Sequence, residues 1–331
     1  MANLSIEGFI ERLRFPVRYP PVAIDIDARS VAVVRVKREK GRGRLLGYGI
    51  APLSEEAAPP SVSAPRISGA EELKTAMARA LQAAGIRSGK ASLVVPDTTA
   101  RIWVLQLPEI PRKPQALLEI VRWKIKRSLP FKVEEGDIVY QVLSRPSGAV
   151  QGSVLVGLMP RSIVAAYESF AAAAGVKIGL VDVASFNLFN FYRRAVGANG
   201  SASRDLALLN ATESYFTLML FMRGELIFYR CKVHPDPLGE SPEERVRTLR
   251  RELSTSLSYY SEKLSGKGIL ATYVRMTDPS IPSPVEAFEG IGLGEVKPVN
   301  PPLVADLPAE VSRETALRLI PAMGAALGRL A

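Results

Sequence analysis

Apolar and β-branched residues crowd three early runs, Val22 to Ile26, Val31 to Val36 and Leu45 to Leu53, with polar turns between them. The pattern predicts an antiparallel meander. Ala57 to Pro65, rich in Ala, Pro and Ser, reads as a loop. Ser68 and Glu71 have capping-box spacing and open a helix over Ala70 to Ala84, which stops at Gly85. A strand, Ala91 to Val95, ends at Pro96. The middle reads as a strand (Arg101 to Leu107), a helix with proline in its first turn (Pro114 to Ser128), and strands over Asp137 to Leu143 and Ser153 to Met159. An alanine-rich helix (Arg161 to Ala174), a strand (Lys177 to Val181) and a helix through Phe186, Leu188 and Phe189 follow.

Gly197 to Ser203 is small and polar and marks a boundary between lobes. Beyond it the opening theme returns as strands over Leu206 to Leu209, Tyr215 to Met222 and Leu226 to Lys232. Asn210 stands in the second hairpin where Asp25 stands in the first, and Thr212 where Asp27 stands, which indicates an internal duplication. A long helix carries Val246, Leu249, Leu253, Leu257, Tyr260 and Leu264 on one stripe, and Ser312 to Leu330 reads as a last helix. The expected divisions are an N-terminal amphipathic segment (1–21), a first lobe (22–96 and 176–203), an inserted central αβ subdomain (97–175) and a second lobe (204–331).

The length of 331 residues suits two lobes, and 47% hydrophobic with 23% charged residues is an ordinary globular balance. Cys231 and His234 are the only residues of their types, which excludes an intrachain disulfide framework and a His/Cys metal cluster. A reducing, cytoplasmic setting is expected. A Cys231/His234 nucleophile pair competes with a plain strand end, where residues three apart point to opposite faces. Glu7, Glu11, Arg12 and Arg14 interrupt the first fifteen residues, unlike a signal peptide, and no run of about 18 apolar residues predicts a membrane span. Leu4 or Ile6, Phe9, Ile10 and Leu13 share a helical face that suits docking to a membrane or partner, or capping of the protein's own core.

Lys and Arg number 43 against 33 Asp and Glu, a net charge of +10. The excess clusters at Lys37 to Arg44, at Arg122, Lys124, Lys126 and Arg127, and at Arg245 to Arg251. These clusters read as solvated faces, or as surfaces for anionic lipid or an acidic partner. Nucleic acid is not an expected partner, since the first cluster is a hairpin tip without aromatic stacking platforms.

Two strand–turn–strand hairpins, one per lobe, are the arrangement with which actin-like ATPases clamp nucleotide phosphates. Such turns use glycine so that backbone N–H groups approach the phosphate closely. Here the first turn is Asp25-Ile26-Asp27-Ala28-Arg29-Ser30 and the second Asn210-Ala211-Thr212-Glu213-Ser214, neither with glycine. Asp27 and Glu213 add repulsive charge. The segment expected to hold an adenosine, Ile269 to Thr277, also lacks glycine. The candidate nucleotide-cleft residues are Asp25, Asp27, Ala28, Arg29, Ser30, Asn210, Thr212 and Glu213. Asp25 would hold Mg²⁺ if nucleotide bound. No catalytic residue is expected, and the turns read as a pseudo-ATPase cleft with ATP and Mg²⁺ a minor possibility.

Val95-Pro96, Arg101, Leu107-Pro108, the run Leu118 to Phe131, Tyr140 to Leu143, Ala172 to Val176 and the ending Ala322 to Arg329 closely resemble the PilM family of type IV pilus assembly proteins. The hairpins alone are similar to any actin-like protein, including FtsA and the cytoplasmic part of GspL. The resemblance implies a two-lobed actin-like (ribonuclease H-like) duplicated α/β fold with a central insertion. It implies a cytoplasmic scaffold peripheral to a bacterial inner membrane, which holds the N-terminal tail of a PilN-like bitopic protein in a groove between the first and central subdomains. Trp123, Leu129, Pro130 and Phe131 are the candidate groove walls, or else pack the central helix on its own sheet. Family members usually carry Asp-Ile-Gly-Ser in the first turn, Asp-Ile-Gly in the second and glutamate where Lys124 stands. Alternatives are a working actin-like ATPase and an FtsA-like membrane-associated filament protein.

Overall fold

The computed structural model describes residues 19–39, 42–54, 57, 61–62, 67–145, 151–197, 204–234 and 241–328. The expected amphipathic face within 1–18, most of the Ala57 to Pro65 loop, the lobe boundary at 198–203 and the last three residues lie outside them.

The first sheet has six strands in the order β14-β3-β2-β1-β4-β8. Its members are β1 (Val22–Ile26), β2 (Ser30–Glu39), β3 (Arg42–Pro52), β4 (Gly89–Val95), β8 (Val176–Val183) and a short β14 (Ala305–Asp306). The second sheet runs β11-β10-β9-β12-β13, from β9 (Asp205–Ala211), β10 (Tyr215–Met222), β11 (Glu225–Val233), β12 (Ile269–Met276) and β13 (Glu295–Pro298). In both sheets an antiparallel meander is extended by parallel strands on the side of its first strand, so the duplication expected from the hairpins holds at the level of topology.

Helices α1 (Ala70–Ala83) and α3 (Arg161–Ala173) cover one face of the first sheet, where Leu73, Met77 and Leu81 meet Ile163, Tyr167 and Phe170 over Ile24, Val33 and Leu93. The helix starts at Ala70 as expected, but its N-cap is Gly69, in the left-handed conformation at φ 64°, in place of Ser68. The long α5 (Pro242–Lys263) covers the second sheet through Leu249 and Leu253. It starts with a full capping box: Ser241 Oγ accepts from Glu244 N at 3.2 Å and Glu244 Oε2 accepts from Ser241 N at 2.9 Å.

Between the sheets lie α4 (Ala184–Gly197) and α7 (Arg313–Leu327). Leu188, Phe191, Leu319, Ile320 and Met323 share one core with Ala23 and Val34 of the first lobe and Leu208 and Tyr273 of the second. That core changes two expected boundaries. The chain from β14 onward returns to the first lobe, because α7 buries an apolar stripe there, so 204–331 is not all second lobe. Likewise α3 packs on the first sheet, so the inserted unit is narrower than 97–175 and spans β5 (Arg101–Leu107), α2 (Pro114–Ile125), β6 (Gly136–Ser144) and β7 (Gly152–Pro160). This insert is a three-stranded sheet, β5-β7-β6, with α2 laid across one face.

Candidate functional site

The two hairpin turns face each other across the lobes, joined by Arg29 and Glu213. In the first, Asp27 N donates to Ser30 O at 2.9 Å and the Asp27 carboxylate accepts from Ala28 N at 2.8 Å. In the second, Thr212 Oγ1 accepts from Ser214 N at 3.3 Å and Tyr215 N at 3.2 Å, and donates to Tyr215 O at 3.0 Å. The amides of Ala28, Ser214 and Tyr215 are therefore engaged by the turns' own side chains. Arg29 Nε meets Glu213 Oε2 at 2.9 Å, tying the first turn to the second. Behind Glu213, Arg245 forms a buried ion pair with Asp278 at 2.7 Å.

Below the turns a polar network crosses the cleft floor. Asp97, in the 3-10 turn after β4, is fully buried and accepts from Ser185 Oγ, from Ser185 N at 3.1 Å and from Thr217 Oγ1 of the second lobe at 2.8 Å. Asn210 Nδ2 donates to Ser185 Oγ at 3.1 Å, and Arg275 Nη1 donates to Asn210 Oδ1 at 2.7 Å. Arg275 Nε reaches Leu317 O at 2.8 Å. Burial pushes the Asp25 carboxyl well above the usual range, with Asp27 adding to the shift, while the Arg275 charge opposes it. Burial also raises Asp97, against the hydrogen bonds from Ser185.

The predicted cleft residues thus meet: Arg29 with Glu213 directly, and Asp25 with Asn210 through the field and hydrogen bond of Arg275. Ile269 to Met276 is a buried strand instead of an adenosine turn, because its β-branched and aromatic side chains suit a position between β9 and β13. The turn starts at Thr277, where Asp278 Oδ1 accepts from Ser280 N at 2.9 Å. Arg275, Asp97, Ser185 and Thr217 were missed in the sequence. The visible signal was a single arginine inside the apolar run of β12. Cys231 and His234 do not make a nucleophile: burial raises the thiol, and the imidazole Nε2 lies 3.1 Å from Thr212 O. Among the described residues no group of three or more His, Cys, Asp or Glu side chains is placed to hold a metal ion.

A second feature is a groove of about 950 Å³ where the three units meet. Its central wall is the outer face of the three-stranded sheet. Strand alternation sends Ile138, Tyr140, Val142, Val154 and Val156 toward α2, and Val139, Leu143 and Leu155 toward the groove. Asp137 and Gln141 share the groove face with these side chains, Leu143 and Leu155 pack against the core between the lobes, and Val139, with no helix over it, remains 69% exposed. The end of β8 and Phe186 of α4 form the first-lobe wall, and the Arg223-Gly224 turn forms the second-lobe wall. Two of the strands along it, β6 and β8, are sheet edges. Asp182 lines the groove, and burial pushes its carboxyl up to about 7 against the hydrogen bond from Val183 N at 2.8 Å.

None of Trp123, Leu129, Pro130 and Phe131 lines this groove. The reason is that α2 lies on the opposite face of the sheet, pinned there by Leu117, Val121 and Ile125. Leu129 and Phe131 pack half-buried against that core, Pro130 is exposed, and Trp123 is 75% exposed.

Solved structures share this architecture. A chain described as a PilM–PilN type IV pilus biogenesis complex aligns with a TM-score of 0.74 at 18% identity, covering 95% of this chain and 98% of that one. A Bacteroides thetaiotaomicron protein with actin-like ATPase fold and unknown function aligns with a TM-score of 0.51 at 10% identity, covering 87% and 92%. The fold is thus that of actin-like ATPases. No curated protein matches the sequence. The profile for type IV pilus assembly protein PilM matches residues 23–235, well over half of the chain, and the chain belongs to the PilM family.

Proposed function

We propose that this PilM-family protein is a scaffold that holds the extended cytoplasmic tail of a PilN-like bitopic inner-membrane protein in the groove beside the central sheet, and that it does so without hydrolysing ATP. The observation that carries the tail-binding role is the exposed Val139 on the face of β6 that no helix covers, beside the edge strands β6 and β8. An extended peptide can add main-chain hydrogen bonds at such an edge while alternate side chains pack on the groove floor. A tail anchored in the inner membrane would keep the scaffold at that membrane's cytoplasmic face. The fold match to a PilM–PilN complex supports a partner of this kind.

The absence of hydrolysis is inferred from the cleft. Phosphoryl transfer depends on positioning and electrostatic stabilisation of the phosphates, which needs free donors and a cation. The side chains of Asp27 and Thr212 occupy turn amides, and Glu213 is tied to Arg29 across the gap. The residues present do not fit a Mg²⁺–polyphosphate, so no catalytic step is assigned to them.

The test is titration of the full chain with synthetic N-terminal tails from co-encoded bitopic proteins. Val139→Asp alters a side chain that is already exposed, so the fold should persist while tail affinity falls at least tenfold. Failure of every tail to bind, or equal affinity for the Val139→Asp variant, overturns the assignment of the groove.

A further inference from the structure

Tryptophan is usually highly buried, yet Trp123 is 75% exposed, more than any other large hydrophobic side chain among the described residues. It stands on α2 directly opposite Val121, the residue that fixes the helix to its sheet. At about 100° per residue, Lys126 and Arg127 in the following 3-10 turn flank it, and Arg122 and Lys124 project to either side. All four cations are exposed, and none joins an ion pair among the described residues. The single acid of the helix is Glu119, one turn before Trp123.

We propose that this face of α2, with Trp123 at its centre ringed by Arg122, Lys124, Lys126 and Arg127, docks on an anionic bilayer surface. The shape selects the occupant. A small molecule needs a concave site to bury its apolar groups, and the groove lies on the other side of the sheet. A convex helix with one indole and a surrounding ring of long basic side chains instead matches a flat, fluid, negatively charged plane. Indole rings partition to the headgroup region, and Lys and Arg stems lie along the apolar boundary with their charges at the phosphates. Each cation adds attraction that falls off within a Debye length, so binding should weaken with salt. The contact goes beyond the tail-binding role and requires no tail.

The experiment uses the full chain with Trp103→Phe, which leaves Trp123 as the only indole of the two. It is mixed with phosphatidylcholine vesicles that contain or lack phosphatidylglycerol. Expected are co-sedimentation, a blue-shifted emission and quenching by brominated lipid only when phosphatidylglycerol is present, all reduced at high salt. Reversal of Arg122, Lys126 and Arg127 to Glu should lower bound protein at least tenfold while the circular dichroism melt stays unchanged. Vesicle binding retained by that variant, sedimentation without a change in Trp123 emission, or binding to polyglutamate but not to vesicles would each overturn the proposal.

Discussion

At Arg275 a guanidinium sits almost fully buried in a strand otherwise made of apolar, aromatic and hydroxyl side chains, with its donors spent on Asn210 and the Leu317 carbonyl. Its charge faces Asp25, whose carboxyl is pushed upward by burial and by Asp27. Arg275→Met leaves the buried Asn210 Oδ1 and Leu317 O acceptors without their donor, at about 1–3 kcal/mol each. Arg275→Met should therefore lower the urea midpoint by that equivalent. A loss under about 1 kcal/mol would show that these two hydrogen bonds contribute little to stability. By contrast Arg29–Glu213 is about a quarter exposed on each side, so its contribution to stability is under about 1 kcal/mol and its effect is to hold the two turns together.

Among the elements, α7 and α4 show why a helix stripe matters more than its length. Gly324 lets α7 approach α4 so closely that a Cβ there would run into the Asn187 carbonyl. No side-chain rotation relieves a clash with backbone, so Gly324→Ala should destabilise by about 3 kcal/mol. Calorimetry would check it, and a melting temperature within a degree of the parent would contradict the packing. The same scale separates the two sides of the central insert. Leu117, Val121 and Ile125 commit one face of the sheet to α2, which leaves Trp123 outward and Val139 facing the groove.

Across the whole molecule, the cleft floor joins the lobes through Asp97, which accepts from Ser185 on one side and Thr217 on the other. Shared helices α4 and α7 add an apolar core between the sheets. On the proposed reading, in which Arg29 and Glu213 tie the two turns together, the protein should gain nothing from nucleotide. Ligand at a hundred times its dissociation constant adds about 2.7 kcal/mol, enough to move the melting temperature by several degrees. Millimolar ATP with Mg²⁺ should move it by less than about one degree, and a larger shift that disappears in Asp25→Ala would restore the ATPase alternative.

Much of the fold was legible because it is local. The two hairpins, their repetition and the proline- and glycine-bounded helices follow from periodicity and turn chemistry, which neighbouring residues determine. The capping box at Ser241 and Glu244 was equally local but went unread, whereas Ser68 gave way to Gly69 by one position. The missing glycines of both turns were plain in the chain. What those turns do with their amides was not, since Asp27 and Thr212 act through side-chain geometry and Arg29 finds Glu213 only across the lobes. Tertiary packing also decided that α7 returns to the first lobe and that α3 leaves the insert, because an apolar stripe fixes that a helix is buried without saying against which sheet. For the same reason alternation along β6 and β7 did not say which face would be core, and the placement of α2 made one face core and left the other as a wall of a groove.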